Sequence, residues 1–139
     1  MSQDLLAVTS QEQLGEKTDW FELLPAELAT AATRTSGLQR CTKAGGVMLE
    51  IITQDEVGAP TITPKILVPN GAGGTDLVLA SFTAIADSGS RLALFHEYAT
   101  GGDTAIAGAL PREWKLQLEY ATPDTAANTM DTHVYARYL

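Results

Sequence analysis

One stretch of strict alternation between apolar and polar residues constrains the fold more than any other part of the chain. From Trp114 to Tyr120 every second residue is apolar or aromatic, and the residues between them are charged or carry an amide. A period of two places the apolar residues on one face of an extended strand, whereas on a helix they would be spread around most of the circumference. We therefore predict a half-buried β-strand whose core residues are Trp114, Leu116, Leu118 and Tyr120.

Further β-capable runs are separated by turn signals about every ten residues. We place strands at residues 28–35, 47–54, 61–68, 77–84, 91–98 and 132–139. Pro25 is expected to end a short apolar run, and Pro64 indicates an edge strand or the beginning of a strand. Residues 55–60 and 101–110 are expected to be loops. This pattern predicts a single all-β domain, either an antiparallel sandwich or a barrel.

The strand at residues 91–98 is apolar on both faces. Leu92 and Leu94 share one face, and Ala93 and Phe95 share the other. Such a strand belongs to a sheet that is covered on both sides, or to a sheet with an interface on one side.

The N-terminal segment differs from the rest of the chain, because it is polar with few large apolar residues. We assign residues 1–25 to an extended N-terminal arm and residues 26–139 to the β-domain. Ser10 and Gln13 also match a capping box, so a single helical turn is the alternative to an extended arm. An arm of this kind cannot fold alone and must dock on its own domain or on a neighbouring chain.

Charge and cysteine usage exclude several classes of protein. The chain has 139 residues, a net charge of -8 and nine basic residues that are scattered singly, which argues against binding to nucleic acid. No apolar run approaches the roughly 20 residues of a membrane span, and the start of the chain does not resemble a signal peptide. Cys41 is the single cysteine and is expected to be a small half-buried residue, which fits a reducing cytoplasm.

The residues that usually carry catalysis do not form a recognisable set. His96 and His133 each lie in a predicted strand without a second histidine nearby in sequence, so we predict no metal site. Nothing in the sequence brings Cys41 close to either histidine. The glycine-rich residues 69–74 match neither a Walker A motif nor a dinucleotide fingerprint, and a hairpin connection explains them. We therefore predict neither an enzyme nor a bound cofactor.

From residue 28 onwards, the strands and loops predicted from the sequence follow one another in an order that is similar to that of a known protein family. An Ala/Thr-rich strand is followed by a strand that opens with small residues, a Thr/Pro strand and a Leu-rich strand. A Gly/Ala-rich loop then leads into Leu110-Pro111-Arg112-Glu113-Trp114, whose Leu-Pro-x-x-Trp pattern is the most specific part. This order resembles a family of small structural proteins in tailed bacteriophages, which are head decoration (cement) proteins or minor structural proteins.

The resemblance implies a non-catalytic virion protein with a β-sandwich of jelly-roll type. Such a protein would be made in the host cytoplasm and would bind the outer surface of the assembled head, across junctions between major capsid protein subunits. It would also be a homo-oligomer, either a dimer or a trimer. The residues that we assign to contacts with the capsid or between copies are Leu5, Leu6, Val8, Leu14, Trp20, Phe95, Tyr98, Tyr135 and Tyr138.

Two other functions remain open from the sequence. The chain could be a minor tail or connector protein of the same virion, present in few copies. It could also be a β-sandwich that binds a host surface or a carbohydrate, which would require exposed aromatic side chains.

Overall fold

The structure is a computed structural model, and its described residues form β-strands and connections without an α-helix. It describes residues 19–29, 33–41, 45–58, 60–100, 104–120 and 129–139. The strands are β1 (Phe21–Ala29), β2 (Arg34–Thr35), β3 (Gln39–Arg40), β4 (Gly46–Val57), β5 (Ile62–Val68), β6 (Leu77–Ser81), β7 (Gly89–His96), β8 (Ala105–Ala107), β9 (Glu113–Tyr120) and β10 (Thr129–Tyr138). The prediction of an all-β fold is confirmed.

The strands form two five-stranded sheets, which we name after a central strand of each. In the β9 sheet the order is β2–β9–β5–β6, with β3 also paired to β9. In the β4 sheet the order is β1–β10–β4–β7–β8. Every pairing between these strands is antiparallel except that of β7 with β8, so the β4 sheet is mixed rather than purely antiparallel.

Strand β8 lies within residues 101–110, which the sequence predicted to be a loop. Its three small or branched residues run parallel to the end of β7, with Phe95 in register with Ile106. The Gly108 N–H donates to the His96 carbonyl at 3.1 Å, which holds the returning chain against the sheet. Small side chains predicted a loop here, but they also permit this close approach to β7.

The buried faces of the two sheets share one hydrophobic core. Trp114, Leu116 and Leu118 of β9 are fully buried, and Tyr120 packs against the same cluster while partly exposed. The ring of Trp114 meets the ring of Tyr138 from the other sheet edge to face, with centroids 6.2 Å apart. Edge-to-face contact is a favoured geometry for aromatic pairs.

Both prolines that were expected to limit strands lie inside strands. Pro25 falls within β1, an edge strand whose register with β10 shifts nearby, so the missing N–H removes no regular ladder bond. Pro64 lies in β5, which is internal to the β9 sheet. Its carbonyl accepts from the Phe82 N–H at 2.8 Å, just after β6 has ended at Ser81. The nitrogen of Pro64, which has no hydrogen to donate, therefore faces β6 at the point where the pairing of β5 with β6 ends.

Strand β4 continues through residues that were predicted to begin a loop. It ends at Val57, and Asp55 adopts a φ of 53°. The register between β4 and β10 shifts here, because Gln54 pairs with Asp131 and Val57 with Thr129. Two residues of β4 thus oppose one residue of β10, which is a β-bulge.

A guanidinium group joins the two sheets at one side of the molecule. Arg34 lies on β2 and donates to the Thr132 carbonyl at 3.0 Å and to the Thr132 hydroxyl at 2.8 Å. It also donates to the Pro25 carbonyl at 2.9 Å. This arginine therefore fixes an edge of the β9 sheet to β1 and β10 of the other sheet.

Strand β1 begins inside the segment that we assigned to the arm. Phe21–Ala29 pairs with β10, so residues 21–25 are part of the β4 sheet. Residues 1–18, including Ser10 and Gln13, lie outside the described residues, and the arm remains a prediction.

Candidate interaction surface

The structure separates the predicted contact residues into three groups. Leu5, Leu6, Val8 and Leu14 lie outside the described residues. Trp20, Tyr98 and Tyr135 reach the surface, with Tyr98 the most exposed at 82%. Phe95 and Tyr138 are buried in the core.

The burial of Phe95 and Tyr138 is incompatible with the contact role that the sequence suggested for them. Phe95 shares the inward face of β7 with Ala93, and its ring lies so close to Gly108 that a Cβ there would overlap the ring. Tyr138 packs between Phe21 and Trp114. For β7 and β10, alternation identified two faces but did not decide which face turns inward.

Burial of Tyr138 predicts a loss of stability at alkaline pH. Burial disfavours the phenolate and raises the pKa of Tyr138 from its usual 10.0 to about 12. The folded state therefore keeps a proton that the unfolded chain has lost, and the free energy of unfolding falls as the pH rises from about 10 to about 12. The slope should approach roughly 1.4 kcal/mol per pH unit.

Urea unfolding at several pH values checks this prediction in a Cys41→Ala background. The background is needed because burial also raises the pKa of the Cys41 thiol, which would contribute a loss of the same sign. A Tyr138→Phe variant should show a shallower alkaline loss. An equal slope with and without the hydroxyl would contradict the prediction.

The outward side of the β4 sheet forms a grid of nine side chains from β10, β4 and β7, which we call the nine-residue face. Register aligns the three strands in rows. The rows are Arg137, Met48 and Leu94; Tyr135, Glu50 and Leu92; and His133, Ile52 and Ser90. Five of the nine side chains are therefore apolar or aromatic. Leu92 in the middle row is 56% exposed, and the other four are partly buried.

The acidic groups of the nine-residue face and its border have partners within the sheet. The Ser90 hydroxyl donates to Glu50 at 3.1 Å. His133 Nε2 lies 2.8 Å from a carboxylate oxygen of Glu22 on β1, and the His133 ring stacks obliquely on Tyr135 at 4.4 Å. Because Arg137 adds a positive charge, the face is close to neutral on a molecule whose net charge is -8.

The outward side of the β9 sheet has a different character. Lys65 pairs with Glu119 at 2.6 Å, and Lys115 pairs with Asp76 at 2.9 Å. Both ion pairs are partly buried, with Lys65 and Lys115 only 20% and 28% exposed, and they neutralise the charges on this side of the sheet. The two outer faces thus differ in chemistry, and we take the nine-residue face as the candidate docking face.

A cleft of about 500 Å³ lies at one end of β3 and β9. It is lined by Arg40, Cys41, Val68, Pro69, Pro111, Arg112 and Glu113. The Cys41 thiol donates to the Pro111 carbonyl at 3.3 Å, and burial raises its pKa although Arg112 partly opposes the shift. A protonated thiol is a poor nucleophile.

A cluster of metal ligands and a membrane-spanning helix are also absent from the part of the chain that the structure describes. No group of three or more His, Cys, Asp or Glu side chains there could hold a metal ion. Within the same residues, no helix has the length and apolar character required to cross a bilayer.

Comparisons with family models, with curated proteins and with solved structures give no match for this chain. The fold and the surface therefore define only a class, namely an all-β domain of two sheets with a partly apolar outer face on one of them. Sequence reasoning identified Leu92 and Tyr135 as residues of possible apolar faces. It missed Met48 and Ile52, because their place beside these residues depends on how distant strands align.

Proposed function

We propose that this chain is a structural protein of a bacteriophage virion, which binds the outer surface of the assembled head as a decoration protein. The observation that carries the proposal is the nine-residue face, because five of its side chains are apolar or aromatic and its charges nearly cancel on an acidic domain. A contiguous apolar patch on a small protein is typical of a surface that another protein covers. The resemblance of the sequence to phage decoration proteins implies that the partner is the major capsid protein.

The strand order supports a more specific fold within this proposal, namely a jelly-roll sandwich. Most connections along the chain cross from one sheet to the other, whereas β5 is followed by β6 in the same sheet. The strands form β1–β10–β4–β7 in one sheet and β2–β9–β5–β6 in the other. This arrangement corresponds to two Greek keys, if β3 is treated as a continuation of β2 and β8 as an addition beyond β7. Viral capsid and lectin domains share the architecture, which supports the class of function by analogy alone.

A decoration protein acts by linkage. It binds the assembled shell in preference to free subunits, so its binding energy stabilises the assembled state. Many copies on a symmetric lattice allow each contact to be modest. In this proposal the nine-residue face supplies the docking contact, and residues 1–18 form a strap that orders on a neighbouring subunit.

Replacing Leu92 by lysine should weaken binding to purified expanded heads by about 10-fold or more. The substitution removes an apolar side chain from the middle row of the face, and burial of a leucine contributes about 1.5–3 kcal/mol. Co-sedimentation of heads with increasing concentrations of the protein measures the loss of affinity.

The matched control for this experiment is Leu38→Lys. Leu38 is also an exposed leucine, but it lies between β2 and β3 at the edge of the other sheet. We expect the control to bind as the wild type does. Equal binding by wild type and Leu92→Lys would eliminate the nine-residue face as the docking surface, and no binding by wild type to any head would reject the proposed function.

A minor tail or connector protein is the alternative within the same virion. It would use the same apolar face on a different partner. Copy number separates the two alternatives, since quantitative mass spectrometry of virions should find many copies per particle for a decoration protein and few for a tail protein.

One surface feature favours carbohydrate binding as a second candidate function. Tyr98 is 82% exposed, and its ring lies 5.6 Å from the ring of His96. Exposed aromatic rings can stack on the apolar faces of sugars. A glycan array without signal would count against this alternative, and a signal lost in Tyr98→Ala would support it.

A further inference from the structure

The four edges of the two sheets are protected to different degrees. An exposed edge strand presents unpaired backbone donors and acceptors, and proteins usually block it with charge, proline or short length. Strand β1 carries Glu22 and Pro25. Strands β2 and β3 have two residues each and include an arginine each, and β8 has three residues.

The fourth edge, β6, lacks most of these devices. It has five residues, Leu77–Ser81, and none of them is charged or a proline. Leu77, Val78 and Leu79 are 61%, 55% and 42% exposed. No residue in the described part of the chain pairs with the side of β6 that faces away from β5.

A β-bulge explains why three consecutive apolar residues are exposed on this strand. Ile66 pairs with Ala80 and Leu67 pairs with Val78, so Leu79 is the extra residue of β6. The extra residue interrupts the alternation that would otherwise turn one of its neighbours inward. The bulge is the one edge-protecting device on β6, and it increases rather than reduces the apolar surface there.

We infer that β6 is the site at which a second copy of this chain pairs, strand to strand and antiparallel, across a two-fold axis near Leu79. The edge chemistry specifies an extended strand as the occupant, because only a strand satisfies a row of backbone donors and acceptors. An isologous contact places like residues near like residues, which is unfavourable for a charged strand but not for this uncharged one. The neighbouring Asp76 is already neutralised by Lys115.

Charge therefore favours β6 over the rest of the surface as a self-contact. Two copies with a net charge of -8 each repel one another, and an uncharged apolar strand gives the approach with the least local repulsion. Pairing would join the two β9 sheets into one continuous sheet. It leaves the nine-residue face of each copy free, so this inference stands independently of the proposed function.

Light scattering coupled to gel filtration tests the inference with a matched pair of variants. The wild type should elute with about twice its monomer mass of 14.8 kDa at tens of micromolar. Val78→Lys should weaken self-association at least about 10-fold, because each lysine would lie opposite Ala80 of the other copy and diagonal to the second lysine. Leu92→Lys, at almost the same exposure but on the nine-residue face, should leave the dimer unchanged.

Cysteine cross-linking gives a second test that does not require the fold to accommodate a lysine at these positions. Leu79→Cys should form a disulfide-linked dimer on mild oxidation, since Cα atoms across a two-fold pair lie within disulfide range. Leu92→Cys and the wild type, whose own cysteine is buried, should not.

Several results would overturn the inference. They are a wild type that stays monomeric at about 100 μM, a dimer insensitive to Val78→Lys, and a Leu79→Cys variant that forms no cross-link. Protection of β6 amides that is lost in a chain lacking residues 1–18 would also overturn it, because the arm would then be the occupant.

Discussion

Replacing Trp114 by alanine is expected to lower the free energy of unfolding by about 3–5 kcal/mol, the range for removal of a large buried aromatic side chain. Trp114 is fully buried on β9, and its ring contacts Tyr138 of the opposite sheet. The substitution therefore leaves a cavity where the two sheets meet. Since domains of this size are typically stable by only about 5–15 kcal/mol, the loss would remove a large fraction of the total.

Urea unfolding followed by circular dichroism measures this effect, with Trp20→Ala as the matched control. Trp20 is the only other tryptophan and is 39% exposed just before β1. We expect the free energy of unfolding of the control to fall by about 1 kcal/mol or less, as is usual for substitutions at partly exposed positions. Similar losses from both variants would mean that Trp114 is not at the centre of the core.

Replacing Gly46 by alanine should destabilise the protein by about 2–3 kcal/mol through overpacking. A Cβ at Gly46 would overlap the Phe95 carbonyl oxygen and would lie 2.9 Å from the His96 Cα. Both are backbone atoms of β7, so relief requires the strands to separate. Movement is restricted on the other side, where the Leu139 N–H donates to the Gly46 carbonyl at 3.0 Å.

Gly71→Ala provides the matched control for this second prediction. A Cβ at Gly71 would have no neighbour within 4 Å. Its stability should be unchanged or slightly higher, because alanine restricts the unfolded chain more than glycine does. In thermal unfolding, only Gly46→Ala should lower the midpoint, by roughly 4 °C for each kcal/mol of unfolding free energy that is lost. Equal midpoints for the two variants would contradict the close approach of β4 and β7.

The sequence predicted correctly those strands whose apolar and polar residues alternate regularly. The alternation from Trp114 to Tyr120 identified β9 and its inward face, because one side of that strand is polar throughout. Strand β7 is apolar on both sides, so the sequence could not decide whether Leu92 or Phe95 turns inward. Packing against the other sheet determines which face turns inward, and it leaves Leu92 exposed while Phe95 is buried.

The prolines and the candidate surface were harder to predict for a related reason. Pro25 and Pro64 are tolerated because of where neighbouring strands end or shift register, and neither fact is visible near the proline. The nine-residue face combines Met48, Leu92 and Tyr135, which are far apart in sequence and meet only through the pairing of three strands. A surface of this kind can be identified only when the register between the three strands is known.

The measurement that tests the central claim most directly is a cryo-electron map of the virion. We expect density for this domain on the outside of the head, at junctions between capsid subunits, with β10, β4 and β7 turned towards the shell. A map in which the domain is absent from the head exterior, or in which Leu92 and Tyr135 face solvent, would contradict the account.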